Sequence, residues 1–243
     1  DGADFDKLLS TGRELQDESS QAYVLSELAE LDGADFDKLL SATRELQDES
    51  SQADVLINLA KLDGADFDKL LSAARELQHK ASQANVLSEL AELDGADFDK
   101  LLSMARELSD EYRLASVLSE LAKLDETYFN EALSATREVH DESERASVLS
   151  ELAKLDEAYF DEALSAVRKV QDEDSRINIL RNLVTLDGAD FDKLLSAVCE
   201  LQSELNLASL LSELVTLDGA DFDKLLSTTP ELQSESNRAD VLS

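Results

Sequence analysis

The stretch DGADFDKLLSATRELQDESSQADVLINLAKL, residues 32–62, decides the fold because a recognisable copy of it starts every 31 residues. A unit of this length holds two short helices, and these cannot bury their apolar faces without a neighbouring unit. No Pro-rich or Gly/Ser-rich spacer separates the copies, so residues 1–243 are expected to form one continuous array. The copies open at Asp1, Asp32, Asp63, Asp94, Asp125, Asp156, Asp187 and Asp218, and the last is truncated within its second helix.

Within each copy, residues are numbered by position from the opening Asp, position 1, to position 31. In the first copy, apolar residues recur at helical spacing through Phe5, Leu8 and Leu9, which indicates a first helix, helix A. Asp at position 1 is its expected N-cap. Glycine at position 2 is expected to be the first helical residue, because Glu126 and Glu157 take that place in two copies and would resist a positive φ.

A second helix, helix B, is expected after an N-cap at position 17. This residue is His79 in the third copy and Asp or Ser in the others, namely Asp17, Asp48, Asp110, Asp141, Asp172, Ser203 and Ser234. Two helices of about 13–15 residues with short turns fill the unit. The sequence therefore predicts an all-α fold, a right-handed α/α solenoid of about eight two-helix repeats.

Three recurring side chains suggest how the helices pack. Phe at position 5 of every copy is expected to be core rather than part of a ligand site. Ser at position 10 of every copy is expected to lie where two helices approach closely, because serine is small and a mediocre helix former. Arg at position 13 lies four residues before the Asp cap, as in Arg44 and Asp48, and is expected to pair with it.

The period and the hairpin give the chain a family resemblance. The segment DESERASVLSELAKLDEAYFDEALSAVRKVQDEDSRINIL, residues 141–180, resembles bacterial, cyanobacterial-type hairpin repeats of the form D-E-x-x-R-A. As a whole the chain resembles α-solenoids of the tetratricopeptide, HEAT and armadillo class. The resemblance implies stacked helix pairs and names no partner. The chain contains no Trp, and its unit is three residues shorter than the 34-residue tetratricopeptide unit, so the peptide-carboxylate clamp of that family is not carried over.

Charge limits the partners. The chain holds 22 Lys+Arg and 55 Asp+Glu, which gives a net charge of −33. Nucleic-acid affinity comes from neutralised phosphates, so we expect no direct nucleic-acid binding, whereas basic proteins or peptides would be attracted. No apolar run is long enough for a membrane helix, and no membrane partner is expected. Cys199 is the only cysteine, so no internal disulfide is possible and the compartment stays open.

The sequence predicts no enzyme, no cofactor and no metal site. The acidic opening D-G-A-D-F-D lacks the register of an EF-hand loop, so its carboxylates are interpreted as helix-start residues. His79 and His140 have no neighbouring zinc-ligand pattern. Cys199 stands where six copies have Arg, in no pattern that would activate a thiol.

The candidate partner-binding surface lies on helix B at positions 23 and 27, which are one helical turn apart and are expected to face solvent. Position 23 varies from copy to copy while its apolar neighbours barely change. We call this set the helix B stripe, and it consists of Tyr23, Glu27, Asp54, Asn58, Asn85, Glu89, Ser116, Glu120, Ser147, Glu151, Asn178, Asn182, Ser209 and Glu213.

The leading hypothesis is a non-enzymatic protein- or peptide-binding scaffold with an acidic surface and a basic or polar partner. The alternative is a purely structural spacer, or a designed or trimmed repeat segment, without a ligand. Acidic mimicry of nucleic acid is a minor alternative. Leu225, Val241 and Leu242 have no following repeat to cover them, so end-to-end self-association through the truncated last copy is also expected.

Overall fold

The computed structural model describes residues 2–31, 33–62, 64–93, 95–186, 189–215 and 220–228. These ranges contain fifteen α-helices and no β-strand, so the predicted all-α solenoid class is confirmed. The chain divides into two compact units, residues 1–128 and 129–243. The right hand of the solenoid and the continuity of the array over residues 1–243 stay predictions.

Helices alternate between A and B in both units. The first unit contains α1 (Gly2–Arg13), α2 (Glu18–Ala29), α3 (Phe36–Thr43), α4 (Glu49–Ala60), α5 (Phe67–Glu76), α6 (Lys80–Ala91), α7 (Phe98–Arg106), α8 (Glu111–Leu124) and a 3₁₀ turn (Glu126–Tyr128). The second contains α9 (Phe129–Glu138), α10 (Glu142–Leu155), a 3₁₀ turn (Glu157–Tyr159), α11 (Phe160–Val167), α12 (Glu173–Val184), α13 (Phe191–Val198), α14 (Glu204–Leu214) and α15 (Phe222–Thr228). Odd-numbered helices are helix A of their copy, and even-numbered ones are helix B.

The B helices form the more closely spaced layer of each unit. In the first unit α2, α4, α6 and α8 pack directly against one another in that order, and in the second α10, α12 and α14 do the same. Within each unit, consecutive A helices of the described residues make no comparable contact. The A helices α3, α5, α7, α11 and α13 instead pack on their own B helix and on the B helix of the preceding copy, as α3 does on α4 and α2. The B helices are therefore the layer along which successive copies meet.

The predicted caps of helix B are confirmed at position 17. Asp17 and Asp48 each accept a hydrogen bond at 2.8 Å from the backbone N–H three residues later, and Asp110, Asp141, Asp172 and Ser203 accept the equivalent bond. His79 accepts no such backbone bond, although its Nδ1 lies 3.1 Å from Ser82 Oγ. Ser234 lies outside the described residues. Satisfying the first backbone donors of a helix in this way fixes where each B helix starts.

The expected start of helix A is wrong in the copies that contain the glycine turn. Gly33, Gly64 and Gly95 adopt φ of 79–80°, and helix A begins three residues later, at Phe. Asp at position 4 is the actual cap, as where Asp35 accepts a bond from Lys38 N at 3.1 Å. Glycine tolerates this left-handed region, so the chain turns there instead of starting a helix. The first copy does begin its helix at Gly2.

In the fifth and sixth copies, Glu replaces this glycine and the turn is built differently. Asp125 and Asp156 accept bonds from the N–H groups of Thr127 and Ala158 at 2.9 and 3.0 Å, so position 1 caps a short 3₁₀ turn there. A 3₁₀ turn needs no positive φ. The two residue types at position 2 therefore mark two kinds of turn rather than one shared conformation.

The expectation for serine at position 10 is also wrong. The position-10 serines within the described ranges, from Ser10 to Ser227, are exposed. Position 10 lies about 200° around the helix from position 8, on the side opposite the core. The close approach occurs at position 12, where a Cβ added to Gly12 would lie 2.8 Å from Val24 Cγ1.

The recurring phenylalanines lie at the margin of the core. Phe5, Phe160 and Phe191 are buried, while the other copies with a described side chain, Phe36, Phe67, Phe98 and Phe129, are half-buried. Phe98 and Phe129 make ring contacts with tyrosines of the following 3₁₀ turns, Tyr128 and Tyr159, at centroid distances of 5.9 and 5.2 Å. The prediction that position 5 is structural is therefore supported, with partial rather than full burial.

Arg at position 13 pairs with the next copy and not with the cap of its own helix B. Arg44 contacts Glu76 through two bonds of 3.1 Å, one residue more than a full period away. Arg13–Glu45, Arg75–Glu107 and Arg168–Glu200 repeat the contact at 3.1–3.3 Å. In the sixth copy Lys169 stands at the partner position, and Arg137 pairs instead with Glu162, at 2.7 Å. The predicted Arg44–Asp48 pair is replaced because Asp48 caps α4.

A second series of ion pairs joins the acidic openings of successive copies. Lys at position 7 contacts Asp at position 6 of the preceding copy at 2.6–2.7 Å; the pairs are Lys38–Asp6, Lys69–Asp37, Lys100–Asp68, Lys193–Asp161 and Lys224–Asp192. Each is exposed, so its contribution to stability is small. The regular spacing nonetheless aligns the copies that carry this pair.

A carboxylate at position 18 adds a third contact between copies. Glu18 Oε2 accepts hydrogen bonds from the backbone N–H groups of Gln47 and Asp48 at 3.1 and 2.6 Å. Glu49 does the same for Gln78 and His79, at 2.7 and 2.6 Å. The turn between helices A and B of one copy is thus held by the B helix of the copy before it.

One expectation for the last copy is wrong. Leu225 is 3% exposed, contrary to the sequence-based expectation that it lacks a covering repeat. Position 8 belongs to the buried face of helix A in other copies as well, as at Leu39 and Leu194. Val241 and Leu242 lie outside the described residues, and end-to-end self-association stays a prediction.

The glycine turn gives a first testable prediction. Gly64→Ala should lower the free energy of unfolding by about 1 kcal/mol, because an L-residue is strained at this positive φ. No atom lies within 4 Å of the added Cβ, so no clash contributes. Gly64→Asn should cost less, because asparagine tolerates the left-handed region. Urea denaturation measures both, and equal losses for the two variants would contradict the explanation.

The Arg–Glu ion pairs between successive copies, from position 13 to position 14 of the next copy, form a ladder that gives a second prediction. A double-mutant cycle on Arg44→Ala and Glu76→Ala should give a coupling energy of roughly 0.2–1 kcal/mol, as expected for an exposed ion pair. The coupling should shrink at about 1 M salt, where the Debye length is near 3 Å. A cycle on Arg44→Ala and Asp48→Ala is the control and should show no coupling. A larger coupling energy for Arg44 with Asp48 than for Arg44 with Glu76 would contradict this prediction and support the pair expected from the sequence.

The caps give a pH dependence. The pKa of Asp17 lies below its ordinary value of 3.8 because the hydroxyl and N–H of Ser20 donate to the ionised carboxylate. A carboxylate with a lowered pKa in the folded state stabilises above its unfolded pKa, and this contribution is lost as pH falls through the folded value. The melting temperature of Asp17→Ala should therefore fall below that of the original chain at pH 6–7 and converge with it below about pH 4. A difference in melting temperature between Asp17→Ala and the original chain that grows as the pH is lowered would contradict this explanation.

Candidate partner-binding surface

The helix B stripe lies on the closely packed layer of B helices. Its residues are carried by α2, α4, α6 and α8 in the first unit and by α10, α12 and α14 in the second. At position 23 the Tyr, Asp and Asn side chains are exposed, and the serines are half-buried. Tyr23 is 65% exposed, a high value for an aromatic residue. The variable position therefore presents its chemistry to solvent, as the sequence analysis expected.

Four residues of the stripe come together in a groove between α2 and α4. This groove has a volume of about 500 Å³ and is lined by Tyr23, Glu27, Asp54 and Asn58, together with Glu30. The remaining lining residues are Ser, Ala and Ile, so three carboxylates face it and no Lys or Arg does. An aromatic face and carboxylates around one groove suit a cationic side chain.

Electrostatics inside this groove act on the tyrosine. The charge of Glu27 raises the pKa of Tyr23 above its ordinary value of 10.0, with further contributions from a hydrogen bond to Glu27 and the charge of Glu30. The phenol therefore stays protonated at neutral pH. Asn58 donates a hydrogen bond of 2.8 Å to Ser26 of the neighbouring helix, which orients its amide.

Position 27 is less available than expected. Most of its glutamates are half-buried and paired with a cation, in the contacts Lys61–Glu89 at 3.6 Å and Lys123–Glu120, Lys154–Glu151 and Arg181–Glu213 at 2.8 Å. These pairs neutralise the stripe over most of its length. The acidic character that the sequence analysis assigned to the whole stripe is therefore greatest between α2 and α4.

Position 30 is the residue that the sequence analysis missed. Glu30 lines the groove, while Lys61, Lys123 and Lys154 occupy the same position in the second, fourth and fifth copies and bind glutamates of position 27. Residues three apart on a helix are neighbours, so the spacing of positions 27 and 30 carried the signal for Lys123 and Lys154, whereas Lys61 reaches Glu89 of the next copy. A lysine at position 30 therefore neutralises a glutamate of position 27, and Glu30 instead adds a negative charge to the groove.

Within the residues that the structure describes, no three His, Cys, Asp or Glu side chains form a group that could hold a metal ion. Cys199 is half-buried, whereas His79 and His140 are exposed in separate units. Among the described helices, none is both long and apolar enough to cross a membrane.

Comparison with known proteins adds no family. No protein-family model, curated protein or solved structure matches the chain. The helical-repeat architecture rests on the structure itself, and the assignment to a particular class of repeat, such as the tetratricopeptide or HEAT class, stays a prediction.

Proposed function

We propose that this chain is a non-enzymatic scaffold that binds a protein or peptide along the helix B stripe. The observation that carries the proposal is the groove between α2 and α4, where four stripe residues converge on one open space. Along helix B, the apolar positions that stack the copies barely change, whereas position 23 varies. Repeat arrays recognise partners through such variable positions on a fixed framework.

The partner is expected to be basic or polar, with its basic portion at the first two copies. Glu27, Glu30 and Asp54 face the groove there, and Tyr23 adds a surface for a cation. Farther along, ion pairs leave the stripe polar and nearly neutral, so hydrogen bonding through asparagine and serine would dominate. The partner would therefore bind through a basic segment at the acidic groove and through hydrogen bonds along the rest of the helix B stripe.

A purely structural spacer is the second candidate. It is favoured by the contacts of position 27, because the Lys61–Glu89 and Arg181–Glu213 pairs join neighbouring copies rather than face a partner. A spacer would hold two other elements apart and would bind no peptide at the groove. The two candidates differ in one measurable property, which is whether charge at the groove matters more than charge elsewhere.

The test uses a fluorescein-labelled peptide of alternating Arg and Ser as the probe, with fluorescence anisotropy at about 0.15 M salt to limit long-range attraction. Glu27→Lys combined with Asp54→Lys should weaken binding about tenfold, because two attractive charges become repulsive. Tyr23→Ala should weaken it about two- to fivefold through the lost contact between cation and ring.

The matched control combines Asp99→Lys with Glu138→Lys. Both residues are exposed on A helices outside the groove, and the change in net charge is the same. This variant should bind the probe nearly as well as the original chain. Equal losses in the two double variants would assign binding to the overall charge and overturn the groove. Absence of binding by the original chain would favour the spacer.

A further inference from the structure

The recurring phenylalanine at position 5 is covered by a tyrosine of the next copy in two places. Tyr128, at position 4 of the fifth copy, contacts Phe98 of the fourth, with ring centroids 5.9 Å apart and an interplanar angle of 80°. In the second unit, Tyr159 of the sixth copy contacts Phe129 of the fifth at 5.2 Å. Rings at these distances attract each other beyond the area that they bury. An aromatic residue at position 4 therefore covers the phenylalanine of the copy before it.

The second and third copies are followed by an aspartate at position 4 instead. Asp66 and Asp97 each accept a hydrogen bond at 3.1 Å from the backbone N–H three residues later, so they cap their own helices and supply no ring. Lys69 Nζ lies 6.0 Å from the centroid of the Phe36 ring, the outer limit of a cation–π contact. Phe36 and Phe67 both remain half-buried.

An open groove lies at each of these two phenylalanines. The 2/3 groove, between the second and third copies, has a volume of about 560 Å³ and is lined by Phe36 with Leu62 and Ala65. The 3/4 groove, between the third and fourth copies, has a volume of about 480 Å³ and is lined by Phe67 with the same Leu62 and Ala65. Pockets of about 300–1,000 Å³ hold small-molecule ligands, so each groove has room for an aromatic side chain. The shared residues place the two grooves side by side.

The second unit repeats this relation. A groove of about 520 Å³ lies at Phe160 of the sixth copy. Position 4 of the next copy is Asp190, which also lines the groove and caps its own helix through a bond of 3.1 Å from a backbone N–H. Open grooves thus coincide with aspartate at position 4, whereas ring contacts coincide with tyrosine.

The charges around the 2/3 and 3/4 grooves are mostly negative. Glu30 lines the 2/3 groove, Glu89 and Glu92 line the 3/4 groove, and Lys61 lines both. Lys61 contacts Glu89 at 3.6 Å. Three carboxylates therefore stand against one ammonium group, which favours a ligand that carries positive charge beside its aromatic residue.

We propose that the 2/3 and 3/4 grooves bind aromatic side chains of a basic peptide, each in the place that Tyr128 takes over Phe98. This inference rests on the proposed peptide-binding function and adds aromatic residues to the description of the partner. The 2/3 groove shares Glu30 and Asn58 with the groove between α2 and α4, so one peptide can reach both. Packed helices lie about 8–10 Å apart, and an extended chain advances about 3.3 Å per residue. The two aromatic residues would therefore stand about three positions apart.

Two fluorescein-labelled peptides of equal length and charge are the probes. One carries two tyrosines three positions apart among Arg and Ser, and in the other both tyrosines are replaced by serine. Fluorescence anisotropy at about 0.15 M salt compares their affinities for the full chain. The tyrosine probe should bind about tenfold more tightly, because it gains two contacts between rings.

Variants of the grooves locate this gain. Phe36→Leu combined with Phe67→Leu should lower the gain about threefold or more, because leucine keeps apolar bulk and removes the ring. Ala65→Gln should lower it similarly, because a longer side chain stands at the wall that both grooves share. Phe98→Leu is the matched control and should leave the gain unchanged, because Tyr128 already covers that ring. Circular dichroism of the variants checks that their helix content is retained.

The outcomes separate this inference from the proposed function. Equal affinities for the two probes would overturn the inference alone, as would a tyrosine gain that survives the double Phe→Leu variant and Ala65→Gln, or one that Phe98→Leu lowers equally. Glu27→Lys combined with Asp54→Lys should weaken both probes and leave the ratio of their affinities unchanged. A tyrosine gain with no effect of that charge variant on either probe would support the aromatic grooves and overturn the acidic groove between α2 and α4. Failure of both probes to bind would overturn both proposals.

Discussion

Burial of the apolar side chain at position 8, a leucine in every copy but the fifth and sixth, is the constraint on which the stacking of the copies depends. Leu39, Leu70 and Leu101 are each fully buried. Full burial of a leucine side chain contributes roughly 1.5–3 kcal/mol, whereas an exposed ion pair contributes at most about 1 kcal/mol. The apolar contact therefore holds successive copies together, and the ladders of Lys–Asp and Arg–Glu pairs align them. Helix pairs of 31 residues fold because each supplies the surface that its neighbour lacks.

The same arrangement distributes the charge of the molecule. Only 22 basic residues stand against 55 acidic ones, and many of the basic residues contact a carboxylate of an adjacent copy. Excess negative charge therefore remains where no cation is placed, as at Glu30 and Asp54. The charge of the helix B stripe thus depends on which of its carboxylates form ion pairs with lysines or arginines and which do not. Glu30 at the groove and Lys123 and Lys154 farther along show how the residue at position 30 changes the local charge.

Features that depend on residues close in the chain could be predicted from the sequence. The all-α class follows from periodicity, and the cap of helix B follows from Asp17 and the N–H three residues later. The pairing of Arg44 could not be predicted from local spacing, because helix A ends there and the carboxylate that it binds, Glu76, belongs to the next copy. The start of helix A was obscured because Gly64 and the equivalent Glu126 form different turns. For the site, exposure at position 23 was predictable, while the contacts of position 27 required the geometry of adjacent helices.

The ladders between copies join residues 32 apart, which is one period of the sequence plus one residue. Deletion of one complete copy removes one ion pair from each ladder and places the next copy at the same spacing from the copy before it. Loss of one residue inside a copy instead displaces the helix that carries the partner. The length of such a protein can therefore change in evolution by whole copies, through unequal recombination of its gene, while single-codon insertions and deletions are selected against. Near-identical copies such as residues 32–62 and 63–93 supply the sequence similarity that such recombination requires, so the spacing of the contacts between copies also limits how the gene can change in length.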